Sequence, residues 1–121
     1  MAVMSNVLIL ACRGGDGPAL RDLLVEDGHK VDLADDVRGG AMLGVRPDVI
    51  VADREPWTWE GKALIERSFP ALAEARLVLL CARIPKSTPP PGVRYLLKPI
   101  AFEELRAAIA GGAGGRGSEA A

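Results

Sequence analysis

Short apolar runs of strand length alternate along this chain with amphipathic stretches, and this alternation limits the possible folds more than any other feature. Five runs are predicted as strands, at residues 7–12, 30–34, 48–53, 75–82 and 93–98. Four amphipathic segments are predicted as helices, at residues 18–27, 36–45, 61–68 and 101–110. Strands and helices in this order favour one parallel sheet with helices packed on its faces. The first strand is apolar throughout, as expected of a central strand that is buried on both sides.

The second predicted helix contains two adjacent glycines, which disfavour helical structure. Val37, Ala41 and Val45 form its expected inner face. Gly39 and Gly40 are each expected to weaken the helix by about 1 kcal/mol, because glycine loses more backbone freedom on folding than alanine does. We therefore predict a weak helix at this point of the chain.

A proline-rich segment separates the fourth and fifth strands, where a helix would normally join two parallel strands. The segment reads ARIPKSTPPPG and has prolines at positions 85, 89, 90 and 91. Each proline inside a helix costs about 3 kcal/mol, since it removes a backbone donor and clashes with the preceding turn. The sequence therefore predicts an extended loop here, with the connecting helix missing or reduced to a turn.

Length and composition favour a single-domain cytoplasmic protein. We assign residues 1–110 to one domain and residues 111–121, a Gly-rich segment without large apolar side chains, to a disordered tail. The 15 basic and 16 acidic residues are balanced, which argues against nucleic-acid binding. No apolar run is long enough to cross a bilayer, and the first residues lack the basic segment of a signal peptide.

The ends of the third and fifth strands carry the most chemical information. The segment RPDVIVAD ends on Asp53, and YLLKPIAFEELRAAI contains Lys98 before a proline. Together with GHKVDLADD and the pair Glu60-Gly61, these segments resemble the receiver domain of bacterial response regulators, over residues 7–109. The resemblance implies a CheY-like, flavodoxin-like α/β fold with five parallel strands in the order 2-1-3-4-5. It also implies a site at the carboxyl ends of the strands.

By the same resemblance, several residues take positions of the family's phosphorylation site. Asp53 is at the phosphoacceptor position, and Lys98 is at the position of the lysine that neutralises the phosphoryl group. Tyr95 takes the place of the switch aromatic. Cys81 stands where the family has a Thr or Ser that hydrogen-bonds the phosphoryl group, and Ala11 begins the position of the Mg²⁺-binding acidic pair.

The acidic pair would fall on Ala11 and Cys12, and neither residue offers a carboxylate to Mg²⁺, which prefers octahedral oxygen coordination. Phosphoryl transfer relies mainly on positioning and charge neutralisation, so loss of the metal removes most of the catalysis. We therefore interpret Asp53 as the remnant of a phosphoacceptor, held in a direct ion pair with Lys98 to which Arg13 could contribute. No cofactor is expected, and Mg²⁺ enters only if Asp53 is phosphorylated.

Two further segments are candidates for a partner surface. Trp57 and Trp59 follow the third strand, and Pro89, Pro90 and Pro91 lie before the fifth. Tryptophan is enriched in binding hot spots, which favours a surface role. The same two tryptophans could instead cap the edge of the core, and both interpretations are open at this point.

The sequence thus predicts an atypical receiver domain, not an enzyme, that acts in bacterial signal transduction by phosphorylation-independent protein–protein interaction. Its partner is expected to be a protein, with a second copy of the chain as one candidate, rather than nucleic acid or a membrane. One alternative is a phosphorelay receiver that a histidine kinase phosphorylates at Asp53. A second alternative is a module that binds a small ligand or a metal ion in the vacated acidic pocket.

Overall fold

The described part of the chain forms a five-stranded sheet with three helices packed against it. In the computed structural model the described residues are 4–11, 17–35, 37–53, 74–83, 86 and 92–110, with Val37 and Asp53 described by their backbones alone. The strands are β1 (Asn6–Leu10), β2 (Lys30–Ala34), β3 (Val49–Asp53), β4 (Arg76–Cys81) and β5 (Val93–Leu97). The helices are α1 (Gly17–Glu26), α2 (Val37–Met42) and, last in the described chain, α3 (Phe102–Ala110).

Every strand pair in the sheet is parallel, and the strand order is β2-β1-β3-β4-β5. The predicted fold class and strand order are therefore confirmed. Strands β1 and β3 lie in the middle of the sheet and are covered on both faces, which requires apolar residues at successive positions. Residues 7–10 and 49–52 meet this requirement, since each of them is at most 2% exposed.

Two apolar clusters cover the two faces of the sheet. One, the α1/α3 cluster, lies between the sheet and helices α1 and α3 and includes Leu24 and Leu105. The other, the α2 cluster, lies on the opposite face and includes Leu8 and Leu79, with Ala41 of α2 packed against it. Full burial of one such leucine contributes about 1.5–3 kcal/mol, so the two clusters are the main source of stability.

Helix α2 is shorter than predicted and meets the sheet through a glycine. It spans Val37–Met42 rather than residues 36–45. Gly40 is buried, and a Cβ atom at this position would lie 2.9 Å from Leu8 Cδ2 and 3.2 Å from Leu10 Cδ2. The sequence indicated only that glycine weakens the helix, whereas the structure shows that Gly40 allows α2 to approach β1 closely.

Arg76, the first residue of β4, attaches the end of α3 to the sheet. Its guanidinium donates to the carbonyl oxygens of Ala108 at 2.9 Å and of Ile109 at 2.7 Å. Because α3 has no basic residue in its own last turn, Arg76 supplies the positive charge that stabilises a helix carboxyl end. Burial lowers the pKa of Arg76 from its ordinary value, and the negative charge of Asp48 opposes this effect. The guanidinium stays charged at neutral pH, since arginine is not deprotonated in proteins.

Arg106 holds α3 to the end of α1. Its guanidinium lies 3.0 Å from the carboxylate of Asp27 and 3.2 Å from that of Glu103. It also stacks over the ring of Phe102, 4.6 Å from the ring centroid. All of these groups are partly exposed, so each contact adds little to stability and serves mainly to fix the orientation of α3.

Some predictions concern residues outside the described ranges. They are the helix at residues 61–68, most of the proline-rich loop before β5, and the tail at residues 111–121 with its domain boundary. Within the loop, residues 82, 83 and 86 form bends. Among the helices of the described ranges, none is long and apolar enough to span a membrane.

We expect Gly40→Ala to lower the free energy of unfolding by about 1 kcal/mol, although alanine favours a helix by a similar amount. The added methyl group would overlap two fully buried leucine side chains, and overpacking a core costs about 1–3 kcal/mol. Denaturant-induced unfolding of wild type and variant measures the difference. In a Leu8→Val background, which lacks the closest methyl group, the same substitution should be neutral or stabilising. Equal losses in both backgrounds would contradict the steric explanation.

Candidate functional site

The carboxyl ends of neighbouring strands bring the predicted site positions to one edge of the sheet. Leu10 of β1 lies beside Ala52 of β3, so Ala11 follows β1 next to the end of β3. Asp53 is the last residue of β3 and pairs with Leu80 of β4. The backbone at the metal position and at the phosphoacceptor position is therefore adjacent, as in a working receiver site.

Cys81 and Lys98 continue this row across β4 and β5. Cys81 ends β4, and its carbonyl oxygen accepts a hydrogen bond of 2.8 Å from the backbone amide of Lys98. Lys98 is half-buried, and its peptide bond to Pro99 is cis. The hydrogen bond to Cys81 thus places the backbone of Lys98 beside the end of β4.

Ala11 makes the metal position apolar and closed. The residue is 7% exposed and belongs to the α1/α3 cluster. Its methyl group faces the start of α1, because a Cβ atom placed on Gly17 would lie only 3.0 Å from Ala11 Cβ. Its amide donates to the carbonyl oxygen of Ala34 at 3.1 Å. A methyl group cannot coordinate Mg²⁺, so the residue at this position does not fit the ion.

Cys81 is part of the core rather than of an open site. The side chain is 0% exposed and lies in the α2 cluster. Its thiol donates to the carbonyl oxygen of Leu79 at 3.7 Å, a long contact for a weak donor. A buried thiol behaves as a small apolar group. The side chain at the position predicted for a phosphoryl-binding hydroxyl is therefore part of the apolar core.

Tyr95 directs its ring inward. The ring packs against the α2 cluster, and its hydroxyl oxygen is buried without a hydrogen-bond partner among the described residues. Tyr95 pairs with Leu79 in the sheet, two positions before Cys81 on the same face. A buried hydroxyl that loses water without gaining a partner costs about 1–3 kcal/mol. Packing of the aromatic ring, rather than hydrogen bonding, holds this side chain inside.

Several predicted site residues fall outside the described part of the chain. They are Cys12, Arg13, Trp57, Trp59, Pro89, Pro90 and Pro91, together with the side chain of Asp53. The ion pair between Asp53 and Lys98 and the burial of the two tryptophans consequently stay predictions. Among the described side chains, no three His, Cys, Asp or Glu residues converge on a position suited to a metal ion.

Sequence reasoning missed the part that Gly17 plays in closing the metal position. The sequence places Gly17 directly before a proline, which indicated the start of a helix and nothing more. The structure shows that Gly17 is the first residue of α1 and is buried. A Cβ atom at this position would meet the side chains of Ala11 and Leu33. A contact between a helix start and the strand before it depends on their packing distance, for which the local sequence carries no signal.

Solved structures with the same arrangement are response-regulator receivers. A response regulator from Burkholderia pseudomallei with a phosphorylated aspartic acid matches with a TM-score of 0.73 at 22% identity, over 96% of this chain and 72% of that one. A receiver domain from a Francisella response regulator matches with a TM-score of 0.67 at 20% identity, over 87% and 93%. PhyR from Brucella abortus matches with a TM-score of 0.67 at 13% identity, over 98% of this chain and 51% of PhyR.

The chain has the receiver-domain fold. No family model matches the sequence, and no curated protein does so either. Because the matching structures share only 13–22% of their residues with this chain, the similarity establishes the fold alone. The chemistry at the carboxyl edge depends on the residues that this chain has there.

We expect Tyr95→Phe to keep the receiver fold and to raise the free energy of unfolding by up to about 1 kcal/mol, because it removes a buried hydroxyl that has no described partner. Tyr95→Ala, the matched control, deletes the ring from the α2 cluster and should cost about 3 kcal/mol. Denaturant-induced unfolding measures both. A loss of about 1 kcal/mol or more in Tyr95→Phe would mean that the hydroxyl does have a partner.

Proposed function

We propose that this chain is an atypical receiver module that acts in bacterial signal transduction by protein–protein interaction, without phosphorylation of Asp53 and without catalysis of its own. The observation that carries the proposal is Ala11, an apolar and buried residue at the position where phosphoryl transfer needs a ligand for Mg²⁺. The buried thiol of Cys81 supports the proposal. It stands at the position where the family has a Thr or Ser hydroxyl that hydrogen-bonds the phosphoryl group.

Charge explains why these replacements matter. Two unit charges about 4 Å apart interact by about 4 kcal/mol at the effective dielectric constant near a protein surface, and a divalent ion doubles the interaction. A site that keeps Asp53 but has Ala11 and Cys12 in place of two acidic residues loses several kcal/mol of attraction for Mg²⁺. Phosphoryl transfer depends on that ion for positioning and for neutralising charge, so the reaction loses its main support.

The arrangement of Tyr95 supports a module with one stable surface. Its ring is already inside the α2 cluster, and no hydroxyl stands at position 81 to respond to a phosphoryl group. An equilibrium between two states can be shifted only by a ligand that interacts differently with them. A partner that recognises this chain would therefore bind the surface that the unmodified protein presents.

We expect beryllofluoride with Mg²⁺, which imitates the phosphorylated aspartate, to leave the wild-type melting temperature and the fluorescence of Trp57 and Trp59 unchanged at all concentrations. The reason is that a ligand stabilises a protein only in proportion to its occupancy of the folded state. Differential scanning fluorimetry and a fluorescence titration make the measurement. The Ala11→Asp/Cys12→Asp variant, if folded by circular dichroism, is the matched positive control, since it restores both acidic positions.

The outcomes separate the proposal from its alternatives. A saturable shift in the wild type that Asp53→Asn abolishes would establish a phosphorylatable receiver, the alternative that the intact backbone contact between Lys98 and Cys81 favours. Stabilisation by a metal ion or a small molecule that Asp53→Asn leaves unchanged would instead indicate a ligand-binding module. No shift in the wild type, with a shift in the restored variant, is the result expected here.

We expect a protein partner, or a second copy of the chain, to bind wild type and Asp53→Asn with equal affinity and to bind Trp57→Ala at least tenfold more weakly, as loss of a hot-spot tryptophan would predict. Sedimentation velocity of the purified chain tests self-association. For a captured partner, titration by calorimetry gives the affinities. Replacement of Pro89, Pro90 and Pro91 by glycine and serine tests the second candidate surface. Binding that requires Asp53 would contradict phosphorylation-independent action.

A further inference from the structure

The amino-terminal end of β1, at the edge opposite the candidate site, is held by two ionisable side chains. The backbone amide of Ser5 donates to Nδ1 of His29 at 3.0 Å. The next amide, of Asn6, donates to Oδ2 of Asp48 at 2.8 Å. His29 directly precedes β2, and Asp48 directly precedes β3, so the two acceptors approach β1 from its two neighbouring strands.

Main-chain hydrogen bonds accompany these side chains. The carbonyl oxygen of Ser5 accepts from the amide of Lys30 at 3.1 Å, and that of Asn6 accepts from the amide of Asp48 at 2.7 Å. Among the described residues, the hydrogen bonds of Ser5 thus run to the β2 side, and those of Asn6 run to Asp48 on the β3 side. Met4, which precedes them, is 64% exposed, and the continuous core of β1 begins only at Val7. Met4 and Ser5 can therefore loosen without disturbing the buried part of the strand.

The contact between Ser5 and His29 exists in one protonation state only. Because Nδ1 accepts a hydrogen bond, it carries no proton, and the neutral ring bears its proton on Nε2. A protonated imidazole has N–H groups at both nitrogens and would turn a donor toward the donor of Ser5. Imidazole is the side chain whose charge ordinarily changes between about pH 5 and 8.

Charged residues lie on or next to the elements that adjoin His29 in the chain and in the sheet. Glu26 and Asp27 lie at the end of α1, Lys30 begins β2, and Asp48 lies on the far side of β1. Asp27 is engaged by Arg106 at 3.0 Å. The elements next to His29 thus carry both acidic and basic residues.

A cleft of about 720 Å³ lies beside this end of β1. Met4 and Ser5 line one part of it, and Asp48, Arg76 and Ala110 line others. The width of the cleft thus depends on where Met4 and Ser5 lie.

We propose that His29 is a proton-sensitive latch: its neutral ring holds the amide of Ser5 beside β2, and protonation releases that amide and loosens the part of the cleft that Met4 and Ser5 line. Asn6 stays attached through Asp48, so the release is local. The device is independent of Asp53 and of the carboxyl edge, and it stands whether or not the proposed function does.

The test is amide exchange of the full chain by NMR between about pH 8 and pH 5, expressed as protection factors that correct for the intrinsic rate. In the wild type, protection of Ser5 should fall about fivefold on acidification, the change expected for one ordinary hydrogen bond, and should follow the titration of the His29 ring. Protection of Asn6 and of residues 7–10 should stay constant. In His29→Asn, whose side-chain oxygen can replace Nδ1 as acceptor but does not titrate, Ser5 should show no pH dependence.

Several results would overturn the proposal. They are constant protection of Ser5 while the ring of His29 titrates, the same pH dependence in His29→Asn as in the wild type, and a simultaneous loss of protection throughout β1. His29→Ala should lack the additional protection of Ser5 at every pH. A pH dependence that persists in His29→Ala would equally exclude the imidazole as its source.

Discussion

Burial of β1 and β3 on both faces is the constraint on which the rest of the structure depends. A parallel strand that is covered on both sides can carry polar groups only where it ends, because an unpaired polar group inside the sheet would cost several kcal/mol. In the described part of the chain, polar groups of these two strands therefore lie at the two edges of the sheet. The carboxyl edge holds Ala11, Asp53, Cys81 and Lys98, and the amino edge holds the ionisable groups around Ser5.

The same constraint explains how much of the fold could be predicted. Runs of consecutive apolar residues mark doubly covered strands, so the central strands could be located from the sequence, with ends displaced by one or two residues. The strand order was what the resemblance to receiver domains implied. The first strand was predicted to reach Cys12 but ends at Leu10, since pairing rather than hydrophobicity determines where a strand stops. Gly40 shows both a predictable and an unpredictable effect of one residue. Its helix-weakening effect is local and predictable, whereas its contact with Leu8 depends on how closely α2 approaches the sheet.

The candidate site likewise has features that the sequence could predict and features that it could not. Which residue types stand at the family's positions could be read from the sequence, and the absence of carboxylates at Ala11 and Cys12 needed no structure. That Ala11 packs against the start of α1, that Cys81 is wholly inside the α2 cluster and that Tyr95 points inward could not be predicted, because each depends on contacts between elements far apart in the chain. The bonds of Arg76 to the end of α3 are of the same long-range kind.

Loss of the metal position and retention of the fold are compatible because different interactions sustain them. Acidic side chains grouped at one edge repel one another and resist burial, and in a working receiver this cost is offset when Mg²⁺ binds between them. Replacing them by Ala11 and Cys12 removes the repulsion, and Ala11 joins the apolar cluster beneath α1. The sheet therefore needs no ion to hold this edge together. The proposed function rests on this combination of a receiver fold with a residue at position 11 that belongs to the apolar core.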